Sequence, residues 1–175
     1  DNRMLLDVQI MQGKEVLRQG HALNDAVLYK WNTARMIEFE IFIDGKLLNA
    51  HRSDGLIIST PTGSTAYALS GGGPIVHPEI DAFLLVPICP HTLSNRPFMI
   101  SANSKIEIRM QPDSISYCRV SCDGQYDLEL EDDITIQITR LPEKIRLIHP
   151  ANHDFFEILR AKLRWGDNAH FKDLC

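Results

Sequence analysis

Positive charge is in short supply. Eighteen Lys and Arg stand against twenty-three Asp and Glu, a net charge of −5, so no global positive field draws the chain to nucleic acid or anionic lipid. Long hydrophobic runs are missing as well. The longest, around Phe83 to Cys89, is interrupted by Pro87 and falls well short of the roughly 20 residues that span a bilayer as a helix. Cysteine is sparse: Cys89, Cys118, Cys122 and Cys175 form no C-x-x-C pair, and no histidine is spaced to complete a zinc site with them. Cys118 and Cys122 would share one face of a strand about two pleats apart, too far for an easy disulfide. Reduced structural thiols and a cytoplasmic chain are the expectation. The chain also lacks an initiator Met and the charged, apolar and small-residue succession of a signal peptide; it begins Asp1-Asn2-Arg3. A cut upstream of Asp1 is therefore expected.

What is present is ordinary for a folded soluble domain. Apolar residues make up 44% of the 175 and charged residues 23%, which excludes collagen-like, mucin-like and disordered classes. The length is about one domain's worth, at a prior of about 150 residues per domain.

Short β-type runs separated by turn residues dominate. Met4 to Ile10, Glu15 to Arg18, His21 to Lys30, Arg35 to Ile43, Lys46 to His51 and Leu56 to Ser59 are extended candidates. Phe83 to Ile88, Lys105 to Met110, Ser116 to Ser121, Tyr126 to Leu130 and Ile134 to Thr139 continue the series. Asp44-Gly45 supplies a two-residue hairpin turn, and a second Asp-Gly stands at 123 and 124. Helix signals are few. One short helix is expected near 64–70, stopped by Gly71-Gly72-Gly73-Pro74, and one near 153–164, capped by Asn152 or Asp154. The fold class that follows is mainly β, a sandwich or barrel-like body with a terminal helix. Residues 1–165 would form the domain and 166–175 a polar tail.

Chemistry concentrates in three places. Ser59-Thr60-Pro61-Thr62-Gly63-Ser64-Thr65-Ala66-Tyr67-Ala68-Leu69-Ser70 follows a buried strand and opens a short helix. Such a bend can present free backbone N–H groups to an anion, with Gly63 permitting close approach, or can be a capped turn whose hydroxyls satisfy its own backbone. It is neither a Walker A loop nor a nucleophile elbow, because the required lysine and glycine are missing. Upstream, Arg52 and Asp54 are two apart and would share a side if the strand begins there, as an ion pair or as readers of a polar ligand. Asn24-Asp25 interrupts an apolar segment. An amide suits an adenine edge and a carboxylate a ribose diol, though Asn-Asp is also a common turn.

Together these segments resemble the carboxy-terminal domain of NAD kinases, from about Leu5 to Trp165. The specific stretches are Asp54-Gly55-Leu56-Ile57-Ile58-Ser59-Thr60-Pro61-Thr62-Gly63-Ser64-Thr65-Ala66-Tyr67, Ser70-Gly71-Gly72-Gly73-Pro74 and Asn24-Asp25. Pro90-His91-Thr92-Leu93-Ser94-Asn95-Arg96-Pro97 is similar to a loop of bacterial members, and Ser121-Cys122-Asp123-Gly124-Gln125 also fits. The resemblance implies a β-sandwich-like fold and an NAD-binding role in a kinase that moves the ATP γ-phosphoryl group to the 2′-hydroxyl of the adenosine ribose, with a divalent cation, Mg²⁺, on the phosphates. It implies that Asn24 and Asp25 hold the adenosine, and that Arg35, Arg52 and Asp54 contact the dinucleotide. Thr65, Ala66, Tyr67, Ala68, Leu69 and Ser70 would line the site, with Gln125 a late contact from the same or a neighbouring subunit. Homodimers or homotetramers are implied too.

The family's Gly-Gly-Asp-Gly motif, whose Asp acts as base in an amino-terminal α/β domain, does not occur in this sequence. The chain alone is therefore expected to be inactive, with the amino-terminal domain as its partner. Two competing readings are a stand-alone dinucleotide-binding or regulatory module and a lipid kinase relative. The second would need an apolar acyl pocket where Asn24-Asp25 and Thr65 to Ser70 stand.

Overall fold

The computed structural model describes residues 1–92 and 94–165. Leu93 in the bacterial-type loop, Cys175 and the expected polar tail at 166–175 lie outside the described residues. Two compact units are distinguished among the described residues, one of residues 2–145 and one of Asp1 with 146–165.

The larger unit is a sandwich of two six-stranded sheets. The first sheet runs in the order β2 (Glu15–Ala22), β1 (Asn2–Gln12), β12 (Thr135–Arg146), β9 (Ile106–Met110), β4 (Ile37–Ile43) and β5 (Lys46–Ser53). The second runs β11 (Tyr126–Glu129), β10 (Cys118–Cys122), β3 (Asp25–Lys30), β6 (Gly55–Ser59), β7 (Ala82–Ile88) and β8 (Phe98–Ser101). Alternation explains the packing. Leu6, Ile10, Phe39, Ile41, Ile108 and Ile136 from the first sheet meet Leu28, Leu56, Ile58, Phe83, Leu85 and Val120 from the second in one core. Val27, Ile57, Leu84 and Val86 point the other way and form a second cluster with Ala68 and Val76. The second sheet is thus covered on both faces at its centre, which is why every residue of β6 is buried and its sequence reads as continuous rather than alternating.

The Asp44-Gly45 turn joins β4 to β5, with Ile43 opposite Lys46 and both turn residues at positive φ, 51° and 77°. At Asp123-Gly124 the connection of β10 to β11 is one residue longer, with Cys122 opposite Tyr126. The thiols of Cys118 and Cys122 are buried on one face and free, and burial pushes them up to about 12 and about 11.

Several elements depart from the sequence expectation. The run from His21 to Lys30 is two strands, because the chain bends at Leu23-Asn24 between β2 and β3. The strand expected from Ser116 begins at Cys118, after a single helical turn, α2 (Pro112–Ile115), that starts on a proline and is too short to carry a periodic signal. The edge strand β8 was not anticipated, and β12 continues to Arg146 rather than ending at Thr139. The helix near 64–70 is a 3₁₀ turn, Thr62–Thr65, and one α turn, α1 (Tyr67–Ser70), separated at Ala66 (φ −106°, ψ −128°).

In the smaller unit the terminal helix α3 spans Phe155–Leu163. Asp154 is its cap: one carboxylate oxygen accepts from the N–H groups of Phe156 (2.7 Å) and Glu157 (3.2 Å). Of the two expected caps, Asp154 serves and Asn152 does not. No helix among the described residues is long and apolar enough to cross a membrane.

Candidate functional site

The bend at Leu23-Asn24 is held from three directions. The Asp123 carboxylate, at the tip of the β10–β11 turn, accepts from the backbone N–H groups of Leu23 (2.8 Å), Asn24 (2.7 Å) and Asp25 (3.1 Å), and the Asp123 N–H donates back to the Asp25 carbonyl at 2.9 Å. From the end of β6, the Thr60 N–H donates to the Asn24 carbonyl at 2.9 Å, while the Thr60 hydroxyl donates to the Leu23 carbonyl at 2.6 Å. The third contact is Gly63, packed so closely that a Cβ there would overlap the Asn24 carbonyl oxygen and stand 2.6 Å from Ser59 Oγ. This is the close approach for which the sequence supplies a glycine.

The hydroxyls of the bend serve the backbone. Ser59 and Thr60 bond the Asn24 and Leu23 carbonyls, and Ser64 donates to the Pro61 carbonyl at 2.6 Å while accepting from the Val76 N–H at 3.0 Å. For these three residues the capped-turn reading holds. Their work is to fix the shape of the loop, with Ser59, Thr60 and Ser64 fully buried.

The break at Ala66 has a consequence for charge. It leaves the Tyr67 N–H at the start of α1 without a helical acceptor, and the Asp25 carboxylate takes that hydrogen bond. Asp25 is only 5% exposed. Burial, then the neighbouring Asp123 charge, push its carboxyl up to about 6, with the Tyr67 N–H pulling the other way. It therefore changes charge just below neutral pH.

A cavity of about 430 Å³ opens over this corner, lined by Asn24, Asp25, Val27, Tyr29, Ala66, Tyr67, Ser121, Asp123 and Gly124. That volume is within the usual range for small-molecule sites, about 300–1,000 Å³. Val27 and Ala66 give it apolar wall, Tyr67 contributes a ring that is 47% exposed, and Asn24 and Asp25 converge on it with polar atoms. An exposed ring beside an amide and a carboxylate is a mixture that can bind a flat heterocycle attached to a polyol.

The expected site residues separate. Asn24, Asp25, Ala66 and Tyr67 meet at this cavity. Arg35 and Arg52 line a different one of about 610 Å³, with Glu38, Gln111, Asp113 and Tyr117. Arg52 and Asp54 are not paired with each other: β5 ends at Ser53 and β6 begins at Gly55, so Asp54 sits at the crossing between sheets. Its carboxylate bonds Lys30 at 2.7 Å, and Arg52 meets Glu38 at 3.4 Å across the β4–β5 ladder. Ala68 is fully buried in the outer-face cluster of the second sheet. Thr65 and Leu69 are half-buried, Ser70 is exposed, and Gln125 is exposed on the β10–β11 turn.

Tyr29, Ser121 and above all Asp123 are additions that the sequence reading did not place in the site. The Asp-Gly at 123 and 124 was legible as a turn. That its carboxylate reaches across to residues a hundred positions earlier was not.

Comparison with known proteins places the chain in a family. Residues 23–150 match the model of the ATP-NAD kinase C-terminal domain. An NAD kinase of Halorhodospira halophila is 53% identical over 168 residues, covering 95% of this chain and 55% of that protein. One from Pseudomonas putida is 48% identical over 173 residues, covering 99% and 58%. A crystal structure of yeast NADH kinase complexed with NADH superimposes with a TM-score of 0.87 at 31% identity, over 98% of this chain and 50% of that one. An NAD kinase from Archaeoglobus fulgidus in complex with ATP gives 0.75 at 29% identity, over 94% and 61%. The chain thus spans about half the length of the curated relatives it matches. On the matched region and these identities, the chain belongs to the ATP-NAD kinase C-terminal domain family.

Proposed function

We propose that this chain is the NAD-binding portion of an NAD kinase, the enzyme that transfers the ATP γ-phosphoryl group to the 2′-hydroxyl of the adenosine ribose of NAD. The observation that carries the reading is the Asn24-Asp25 corner, fixed by backbone hydrogen bonds beside an exposed Tyr67 ring. Asn24 is suited to the adenine edge, Asp25 to the ribose hydroxyls and Tyr67 to stacking on the base. Arg35, Arg52 and Asp54, away from this corner, would meet the more distant parts of the dinucleotide, with Gln125 and the exposed Ser70 as outlying contacts.

In the reaction a bond forms from the ribose 2′-oxygen to the γ-phosphorus, and the bond from that phosphorus to the β–γ bridging oxygen breaks. The base that takes the hydroxyl proton belongs to the Gly-Gly-Asp-Gly motif, which these 175 residues do not contain. The part played by this chain is positioning of the acceptor. Asp25 and Asp123 are engaged by backbone N–H groups and make a poor octahedral cage for Mg²⁺; the cation fits better as a companion of the ATP phosphates. Self-association into dimers or tetramers has a candidate surface at edge strand β5, where Leu47 and Leu48 are 57% and 42% exposed. A cytoplasmic setting suits the free thiols.

The chain alone should bind NAD yet form no NADP from ATP and NAD in a coupled assay, and supplying the upstream domain should restore turnover. Robust NADP formation by the 175-residue chain would sink the assignment of the base elsewhere. Replacement of Asn24 or Asp25 by Ala should weaken NAD binding by about 1–3 kcal/mol each, the cost of a buried hydrogen bond left unmade.

Binding should also depend on pH. With its folded pKa raised to about 6 from an ordinary 3.8, Asp25 is neutral in acid and becomes an anionic acceptor as pH rises through about 6. NAD affinity measured by calorimetry should rise across that window, and Asp25→Asn should flatten the profile. Fold stability runs in the opposite sense. The raised pKa makes this group's contribution fullest below 3.8 and lost as pH climbs through about 6.

A further inference from the structure

Away from the Asn24-Asp25 corner, one cluster of metal-ligating side chains occurs among the described residues. Asp1, His149 and His153 each offer a ligand atom, and these atoms lie within 4.8 Å of one another. We propose that Asp1, His149 and His153 form a binding site for a single divalent transition cation, Zn²⁺, completed by water.

Backbone geometry brings the three together. The Asp1 nitrogen donates to the Leu147 carbonyl at 2.9 Å, and the Leu147 N–H returns a bond to the Asp1 carbonyl at 2.8 Å. This reciprocal pair is the pattern of an antiparallel bridge. It fixes Asp1 beside Leu147, two residues before His149, so that the Asp1 carboxylate meets His149 Nε2 at 3.2 Å. Past His149 the chain turns at Pro150, closed by the His153 N–H donating to the Pro150 carbonyl at 3.0 Å. The turn lays the two imidazoles face to face, with centroids 3.7 Å apart and planes 13° from parallel. Asp154 follows at once as the cap of α3, which anchors the end of that turn.

The donor set selects the ion. Two imidazole nitrogens and one carboxylate oxygen suit Zn²⁺, whereas Mg²⁺ prefers an all-oxygen octahedron. A tetrahedral zinc with ligand bonds of about 2.0–2.2 Å has ligand atoms roughly 3.3–3.5 Å apart. The Asp1 and His149 atoms already stand near that separation, and rotation of the His153 ring brings in the third. Histidines four residues apart also match the H-x₃-H spacing of zinc sites. No cysteine completes the pair, so the cysteine spacing gives no sign of it. The cation would staple Asp1 to the lead-in of α3, independently of any dinucleotide.

The test uses the 175-residue chain stripped with chelator, both as it stands and extended upstream by a few residues. The extension matters because a free terminal amine beside the Asp1 carboxylate is itself a chelating pair. Equilibrium dialysis against Zn²⁺ with elemental analysis should give one zinc per chain in both forms, and Co²⁺ should give the visible bands of a four-coordinate site. Calorimetry should show Zn²⁺ affinity reduced at least about tenfold by His149→Ala and by His153→Phe, which keeps a ring in the stack. Should either variant unfold by circular dichroism, Asp1→Asn at the exposed ligand must abolish the rise in Tm that Zn²⁺ produces in the parent chain. Stoichiometry well below one, equal affinity in the variants, an unaltered Tm response in Asp1→Asn, or binding that disappears on extension alone would each overturn the site.

Discussion

Asp123→Ala should be the most damaging single change near the cavity. One carboxylate holds three consecutive backbone N–H groups, and hydrogen bonds to a charged acceptor contribute about 1.5–3 kcal/mol each. Since the three groups are only partly buried, water recovers some of the loss. A net destabilisation of about 3–5 kcal/mol is expected, a fall in Tm on the order of 10 °C for a domain of this size. NAD affinity should drop more than about tenfold as the Asn24-Asp25 corner loosens. Asp123→Asn separates charge from geometry. Its carbonyl oxygen can replace Oδ1, which serves Asn24 and Asp25, but its amide then faces the Leu23 N–H, donor against donor. An intermediate loss should result. The same variant removes the negative neighbour that helps to raise Asp25, so the midpoint of the pH profile of NAD binding should move down. Wild-type affinity in both variants, or an unmoved midpoint, would show that Asp123 does not organise the site.

Gly63→Ala should come second. The added Cβ would overlap the Asn24 carbonyl, 2.5 Å from its carbon and 2.6 Å from Ser59 Oγ. That carbonyl cannot retreat cheaply, because it accepts from the Thr60 N–H and from the Ser59 hydroxyl. The clash should cost about 1–3 kcal/mol or more, as overpacking does elsewhere. Relief by outward movement of the corner would spoil the cavity, so calorimetric NAD affinity should fall together with Tm. Gly72→Ala is the comparison. It has a positive φ of 82° but nothing within 4 Å of its would-be Cβ, so its cost of about 1 kcal/mol is backbone strain alone and NAD affinity should be preserved. Equal behaviour of the two variants would mean that Gly63 is present for its flexibility and not for the approach of Asn24.

Much of the architecture was legible because period-2 alternation and Asp-Gly turns are local signals. Arg35 to Ile43, Lys46 to His51 and the turn between them needed no distant residue for their reading, and the Asp44-Gly45 hairpin is where it was expected. Local reading failed where tertiary contacts override it. Pro112–Ile115 is too short for periodicity, β8 is a four-residue edge, and the extended candidate from His21 to Lys30 bends at Leu23-Asn24 because Asp123 and Thr60 bond its backbone there. Likewise, Arg52 and Asp54 look like a pair in the sequence and are separated by the crossing from one sheet to the other.

By itself the sequence determined the β class, the family, and the residue types from which a dinucleotide site can be built, since these rest on composition, short-range pattern and ordered motifs. Only the tertiary structure decided which of those residues meet. Asp25 is bonded to the Tyr67 N–H from a distant part of the chain, and Asn24 and Asp25 are bonded to Asp123 across nearly a hundred residues, while Arg35 and Arg52 line another cavity. The physical reason is that backbone hydrogen bonding and burial are satisfied by the whole sandwich. A carboxylate such as Asp25 acquires a pKa near 6 from a desolvated setting and a neighbouring charge, and neither is a property of its place in the chain.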